Sequence, residues 1–292
     1  MTAPADLATP RSSDAPSAAR RRRNSARELI QARELTLNLV RRDLKVRHRQ
    51  TFLGMLWSLA TPLLTVALYY FVFRVVMGAS PATDVARPDG HIVPFAVYFF
   101  AGLTLWNFFN TSVSGATTSI TGSTYLINKV YFPRAILPLS TVLASLVTLS
   151  FEFAALMVVT IVAVGLPSAQ LLWVPVIVAV IGILAYGLAL LLSAVTVFLR
   201  DVAHFIGILM QVWFWATPII YSLSFVQKRP GVVLLLKLNP ITGSIVSFRN
   251  VVVLNHAPAF GLLAYDLAVG VVALALGAWI FGRSQRLFAE IA

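Results

Sequence analysis

Between Leu53 and Gly78 the chain runs for 26 residues with one formal charge, Arg74. At about 1.5 Å per residue a helix of that length exceeds the roughly 30 Å hydrocarbon core of a bilayer, so it can cross with some tilt. Immediately before it stand Arg41, Arg42, Lys45, Arg47 and Arg49. Lys and Arg beside a spanning segment are retained on the cytoplasmic side and attracted to anionic lipid. The boundary therefore sets the orientation of everything that follows.

The rest of the chain agrees with a membrane protein. Mean hydropathy is +0.82, and 12% of residues are charged where soluble domains average about a quarter. Its 292 residues leave room for about six spans and short loops, and hardly for a second globular domain. No G-x-x-x-x-G-K-[S/T] phosphate loop occurs, so ATP is not bound by that route. With no cysteine, disulfides and thiolate metal sites are excluded. The net charge of +12 raises nucleic acid as a partner. However, residues 1–50 carry 12 Lys/Arg against 5 Asp/Glu at the bilayer face, so the basic charge reads as membrane-surface binding.

Residues 1–24, rich in Ala, Ser, Pro and Arg, are expected to form a disordered basic tail. The run Arg20 to Arg23 has no apolar core close behind it and does not read as a cleaved signal. Residues 25–50 predict an amphipathic interfacial helix, with Arg27, Glu34, Asn38, Arg41, Arg42 and Lys45 on one face and Leu29, Leu37, Val40 and Leu44 on the other. Residues 51–292 form the transmembrane domain, with spans expected at about 53–78, 94–121, 138–164, 172–198, 205–223 and 261–281. Pro62 should kink the first. The second ends in a Thr/Ser/Gly-rich half that suits close helix packing or a wet path. Glu152 sits mid-span and must face water, pair or stay protonated. Between spans five and six, two apolar runs are too short to cross and predict half-helices in the outer leaflet, joined at Asn239-Pro240. Six spans put both termini inside. The fold class is all-α integral membrane.

Four segments resemble, in order, the membrane subunits of ABC-2 type polysaccharide exporters, which move O-antigen, teichoic acid and galactan. They are RRDLKVRHRQTFLGMLWSLATP from Arg41, Asn128-Lys129-Val130-Tyr131-Phe132-Pro133-Arg134 running on to Leu137-Pro138, Phe198-Leu199-Arg200-Asp201 with Thr217-Pro218-Ile219-Ile220-Tyr221, and Leu238-Asn239-Pro240 with Phe248-Arg249. His48 stands where that family often has Tyr. The resemblance covers about residues 27–290 and implies a homodimer in the bacterial inner membrane, bound to two separate ATP-hydrolysing subunits that hold the ATP and Mg. This chain would then carry no cofactor and no catalytic or metal site.

The same resemblance implies roles for particular residues. A gate helix would include Arg41, Arg42, Lys45, Arg47 and Arg49. ATPase coupling would fall to Asn128, Lys129, Phe132, Pro133, Arg134, Arg200 and Asp201, and an outer gate to Asn239, Pro240 and Arg249. The cargo would be a glycan on a polyprenyl diphosphate, drawn past aromatic faces that stack on sugar C–H groups. Trp57, Tyr69, Tyr70, Trp106, Phe109, Trp213, Trp215 and Tyr221 are the candidates for that channel, although interface anchoring or core packing accounts for single aromatics as well. A membrane glycosyltransferase would need clustered carboxylates, whereas the acids here are scattered. An ion-coupled transporter would show inverted repeats and several buried charges. A drug or lipid exporter permease remains the alternative within the family.

Overall fold

The computed structural model describes residues 33–45, 57–76, 78, 85–129 and 132–285. The expected basic tail, Arg47, Arg49 and His48 fall outside these residues. The chain is helical at 33–45 (α1) and then forms α2 (Trp57–Tyr70), which continues as a π-helical turn, Phe71–Val76. A two-residue hairpin follows, β1 (Val85–Ala86) antiparallel to β2 (Ile92–Val93). Next come α3 (Phe95–Thr117), the short α4 (Thr124–Lys129), α5 (Ile136–Ala163), α6 (Val174–Phe198) and α7 (Val202–Trp215). The chain ends with α8 (Pro230–Leu238), α9 (Thr242–Val252) and α10 (Phe260–Ser284).

Three of these segments are long and apolar enough to cross a bilayer: α5, α6 with its leading 3-10 turn, and α10. The short helices α8 and α9 meet at 91° across Asn239-Pro240-Ile241, matching the expected pair of half-helices. Pro240 has no N–H for a continuing helix and disfavours helical backbone at Asn239, so the break falls where the residues require it.

Helix α3 is the axis. It is buried on nearly every side, with Phe99, Leu105, Phe109, Val113 and Ala116 wholly inaccessible. It packs against α2, α5, α6, α7 and α9. In its Ser/Thr-rich half, Thr111 and Thr117 return hydroxyls to Asn107 O (2.7 Å) and Val113 O (2.8 Å), whereas the buried Ser112 hydroxyl has no partner among the described residues.

The closest helix pair is α6 with α10. Gly187, Gly270 and Gly277 remove side chains where the two backbones touch, and a Cβ on Gly187 would stand within 2.8 Å of Ala273 and Leu274 backbone atoms. Such close approach replaces the missing hydrophobic drive between helices in lipid with dispersion contact.

Span five differs from its expected range of 205–223. Helix α7 starts at Val202 and stops at Trp215, and residues 216–221 turn back irregularly. Pro218 is the cause, because it removes a donor and restricts Thr217. Arg87 folds inward from the hairpin and is fully buried. It donates to Val253 O (2.6 Å), Val164 O (3.4 Å) and Leu166 O (3.4 Å). A cation at the C-terminal ends of α5 and α9 satisfies free carbonyls and matches both helix dipoles. Burial lowers the Arg87 pKa from its ordinary range, with Asp89 at 3.8 Å opposing the shift.

Gly187→Ala should force α6 and α10 apart and destabilise the protein by about 1–3 kcal/mol, as overpacking does. Thermal unfolding of detergent-purified protein checks this, with Gly282→Ala, where a Cβ meets open space, as the neutral control.

Candidate functional site

One end of the bundle gathers the C-termini of α3, α6 and α10 with the N-termini of α5 and α7. Topology alone therefore assembles there the residues expected to meet an ATPase. Helix α1 rests on this end through Leu39 and Val40, both buried, Leu39 belonging to a cluster with Ile127, Leu137, Ala194 and Phe281. Its polar face stays outward: Arg41, Arg42 and Lys45 are exposed.

Polar contacts tie α1 to its neighbours. Arg42 pairs with Asp43 (3.1 Å) and donates to Ser123 just before α4 (3.4 Å). Asp43 accepts in turn from Ser140 (3.2 Å) and Thr141 (3.5 Å) on α5. Arg42, Asp43, Gly115, Thr118, Gly122 and Thr141 border a polar hollow of about 430 Å³. Nearby, Lys129 lies over the Tyr125 ring (4.0 Å) and hydrogen-bonds its hydroxyl, and Arg134 donates to Gln285 O beyond α10. Phe132 packs half-buried on the α1 cluster, whereas Pro133, Arg200 and Asp201 are exposed or nearly so. Asn128 is helical, and its side chain lies outside the described structure, as does that of Trp57.

Five of the expected channel aromatics, Tyr69, Trp106, Phe109, Trp213 and Trp215, join through Phe214 in one set of ring contacts. Tyr69 meets Phe99 (5.0 Å between ring centres) and Trp215 (6.3 Å), Trp106 meets Phe214 (5.7 Å) and Phe109 (5.9 Å), and Phe109 meets Trp213 (5.4 Å). Among the expected aromatics there is a division. Trp106 and Phe109 lie in the core, Trp213 is partly exposed, and Tyr70 and Trp215 are exposed. Trp213 and Tyr221 line a largely apolar cavity of about 610 Å³ with Asn239, Pro240 and the apolar face of α8. The Trp213 indole donates to Asn239 Oδ1 (3.0 Å), and Asn239 Nδ2 donates to Thr217 Oγ1 (2.9 Å) and Ala216 O (3.1 Å). One asparagine thus fixes the end of α7, the α8–α9 break and the tryptophan together.

Arg249 lies elsewhere. Its guanidinium is buried against α3, donating to Tyr98 O (3.1 Å), Pro218 O (2.6 Å) and Ile219 O, with the Tyr98 ring at 4.0 Å. Gly102 makes room, since a Cβ there would collide with the guanidinium. Arg249 takes up carbonyls of the irregular turn after α7, whereas the last carbonyls of the helix itself are met by the Ala216 and Thr217 N–H groups and by the Thr217 and Tyr221 hydroxyls. Of the three expected outer-gate residues, Asn239 and Pro240 border the cavity and Arg249 holds the turn at Pro218 and Ile219. Glu152, buried, accepts from Asn107 Nδ2 (3.3 Å), so the mid-span carboxylate has an amide partner.

Sequence reasoning passed over the polar stripe of α7. His204, Gly207 and Gln211 are exposed on the same helix as Trp215, at spacings that place them on one side. An exposed glutamine within an apolar helix was the available signal, because its amide needs water or a partner at that depth.

A bundle of long apolar helices with a pair of short helices bent by 91° is that of a multi-pass membrane protein. Residues 34–253 match the ABC-2 type transporter family, and the chain belongs to that family. Membership implies an ABC transporter with an ATP-binding partner. The chain is similar to the O-antigen export system permease protein RfbA of Myxococcus xanthus, 33% identical over 264 residues, covering 90% of this chain and 97% of that protein. It is also similar to the proteins of the same name from Klebsiella pneumoniae, 27% identical over 259 residues, covering 88% of this chain and 95% of theirs.

Replacing Arg249 by Met should lower stability by about 3 kcal/mol, as buried carbonyls lose their charged donor. Arg249→Lys should recover only part, since one ammonium cannot reproduce the planar fork. Melting temperatures of the purified variants give the order.

Proposed function

We propose that this chain is the permease subunit of an exporter that moves a polyprenyl-diphosphate-linked polysaccharide from the cytoplasmic to the outer side of the bacterial inner membrane. What carries the reading is the likeness over nearly the whole length of both chains to a permease named for O-antigen export. The aromatic and polar lining described above supports it. Sugar rings offer apolar C–H faces to Trp and Tyr, and their hydroxyls find amides such as Gln211.

In this reading α2 with its π turn, α3, α5, α6, α7 and α10 are the six spans, and α8 and α9 dip into the outer leaflet. Both termini are cytoplasmic, since Lys129, Arg134, Arg200 and Arg283 share one end. Two copies associate through α2 and α7, whose large apolar side chains Leu64, Leu68, Ile208 and Val212 are exposed at about two-thirds of their area. The stripe His204, Gln211 and Trp215 then borders a lumen between the copies. Two ATP-binding subunits dock beneath, on α1, α4, the 132–135 turn and the α6–α7 turn, and they alone bind ATP and Mg. Their closure moves α1 and α4 together with α5, because Arg42 and Asp43 bridge those elements.

In cells that lack the native gene and so retain no surface glycan, the wild-type chain should restore it. Trp213→Ala should cut surface glycan at least tenfold at unchanged membrane insertion, while Trp213→Phe keeps most of it. Export by Trp213→Ala at the wild-type level would remove the stacking role. Surface glycan that never depended on the gene would remove the function itself.

A further inference from the structure

Glu152 of α5 is 4% exposed and has no role in the site described above. Asn107 of α3 donates to its Oε2 (3.3 Å), and its Oε1 has no partner among the described residues. Stepping back from Glu152 by four, three and four residues gives Thr148, Ser145 and Thr141, all on one face of α5. Stepping forward from Asn107 in the same way gives Thr111, Ser114 and Thr118 on one face of α3. Thr118 and Thr141 border the same polar hollow beside α1, while Asn107 and Glu152 meet at the far end, so both ends of the pairing are fixed. The antiparallel register between those ends sets Thr111 against Thr148 and Ser114 against Ser145.

The chemistry of this seam is one-sided. The hydroxyl protons of Thr111, Ser114 and Thr148 are used on Asn107 O (2.7 Å), Asn110 Oδ1 (3.1 Å) and Ala144 O (3.3 Å), and what their oxygens still offer is lone pairs. An acceptor-lined seam between Asp43 at its mouth and Glu152 at its end draws cations and repels anions. A metal ion does not suit the end, because Asn107 turns an N–H towards the carboxylate and no three His, Cys, Asp or Glu side chains cluster among the described residues. Nor does a neighbouring side chain neutralise the acid. Besides Glu152, the ionisable groups on α2, α3, α5 and α6 are the phenols of Tyr69, Tyr70, Tyr98 and Tyr186. Arg249 of α9 is bound to three carbonyls, and Arg42 at the mouth pairs with Asp43. A lone carboxylate at membrane depth is costly, and a proton is the smallest cation that removes its charge. The hollow, about 430 Å³ and polar, has room for the water that would bring one.

We propose that Glu152 is a proton-binding site, loaded from the α1 end of the bundle through the seam between α3 and α5. A hydronium ion in the hollow passes its proton through water to Oε1, leaving a neutral acid and a water molecule. The neutral acid keeps its hydrogen bond from Asn107, and α3 stays packed on α5. Loss of the proton leaves a carboxylate that draws water along the seam and loosens the two helices. Because Arg42 and Asp43 of α1 border the hollow, a shift of α1 opens or shuts the way in. Nothing in this depends on which cargo is carried.

The test uses the full chain with its ATP-binding partner, oriented one way in vesicles of phosphatidylethanolamine and phosphatidylglycerol, with the pH set separately on the two sides. The probe is dicyclohexylcarbodiimide, which adds to protonated carboxyl groups in apolar surroundings, and peptide mass spectrometry locates the adduct. Glu152 should be labelled when the α1 side is mildly acidic. Making that side alkaline should reduce the labelling at least tenfold, and changing the opposite side alone should leave it near its starting level. Infrared difference spectra against Glu152→Gln read the same protonation should the reagent fail to reach the residue. Ser114→Leu, which fills the half-buried seam, should leave the labelling unresponsive to pH on the α1 side, and Thr111→Leu gives a second block should the first variant fail to assemble. Labelling and an infrared band that ignore the α1-side pH, that follow the opposite side, or that respond fully in both blocked variants would overturn the proposal.

Discussion

The end of the bundle opposite α1 depends on a guanidinium bound to backbone carbonyls. A helix that stops inside lipid exposes C=O groups which water cannot reach, and each is expensive to leave bare. Helix α7 stops at Trp215, and Arg249 takes up Pro218 O and Ile219 O along with Tyr98 O. That arrangement permits an irregular turn in a membrane-embedded bundle, and the turn makes the cavity beside Trp213 and Tyr221. Arg87 repeats the device at the ends of α5 and α9. In both places cationic donors answer broken helices, so neither arginine acts as a topology signal.

Stiff and loose contacts are distributed unequally. Glycines seat α6 against α10 with backbones touching, and α3 is enclosed by five helices. By contrast α5 and α6 are separated by a groove, and α1 is held to the bundle by Leu35, Leu39, Val40 and a few part-buried polar contacts. In the reading proposed above, the rigid part would carry displacement from the α1 end to the cavity beside Trp213, and the loose contact at α1 is where a partner would act.

Much of this was legible in the sequence because lipid imposes simple rules. Three of the expected spans, α5, α6 and α10, appear as helices of spanning length, and Pro240 stands between two short apolar helices as read. The early stop of α7 was not foreseen, although Pro218 was in view, because hydropathy continues smoothly to Leu223. For Arg249 the resemblance implies an outer gate, whereas its guanidinium is buried on backbone carbonyls. Its carbonyl partners come from residues 31 and 151 positions away, which no local pattern contains. The division of the aromatics was equally hidden, since Trp106 and Trp213 are alike in sequence and only packing places one in the core and the other on a cavity.

The central claim is that the exposed stripe of α7 faces an aqueous path between two copies. The chain has no cysteine, so single thiols can be introduced without background. In the assembled complex in native membranes, Gln211→Cys should react readily with a charged methanethiosulfonate. Val158→Cys, on the outward face of α5 and 62% exposed, should stay unmodified because a thiol in hydrocarbon does not ionise. If Gln211→Cys is as inert as Val158→Cys, α7 lines no water-filled route and the account of transport fails.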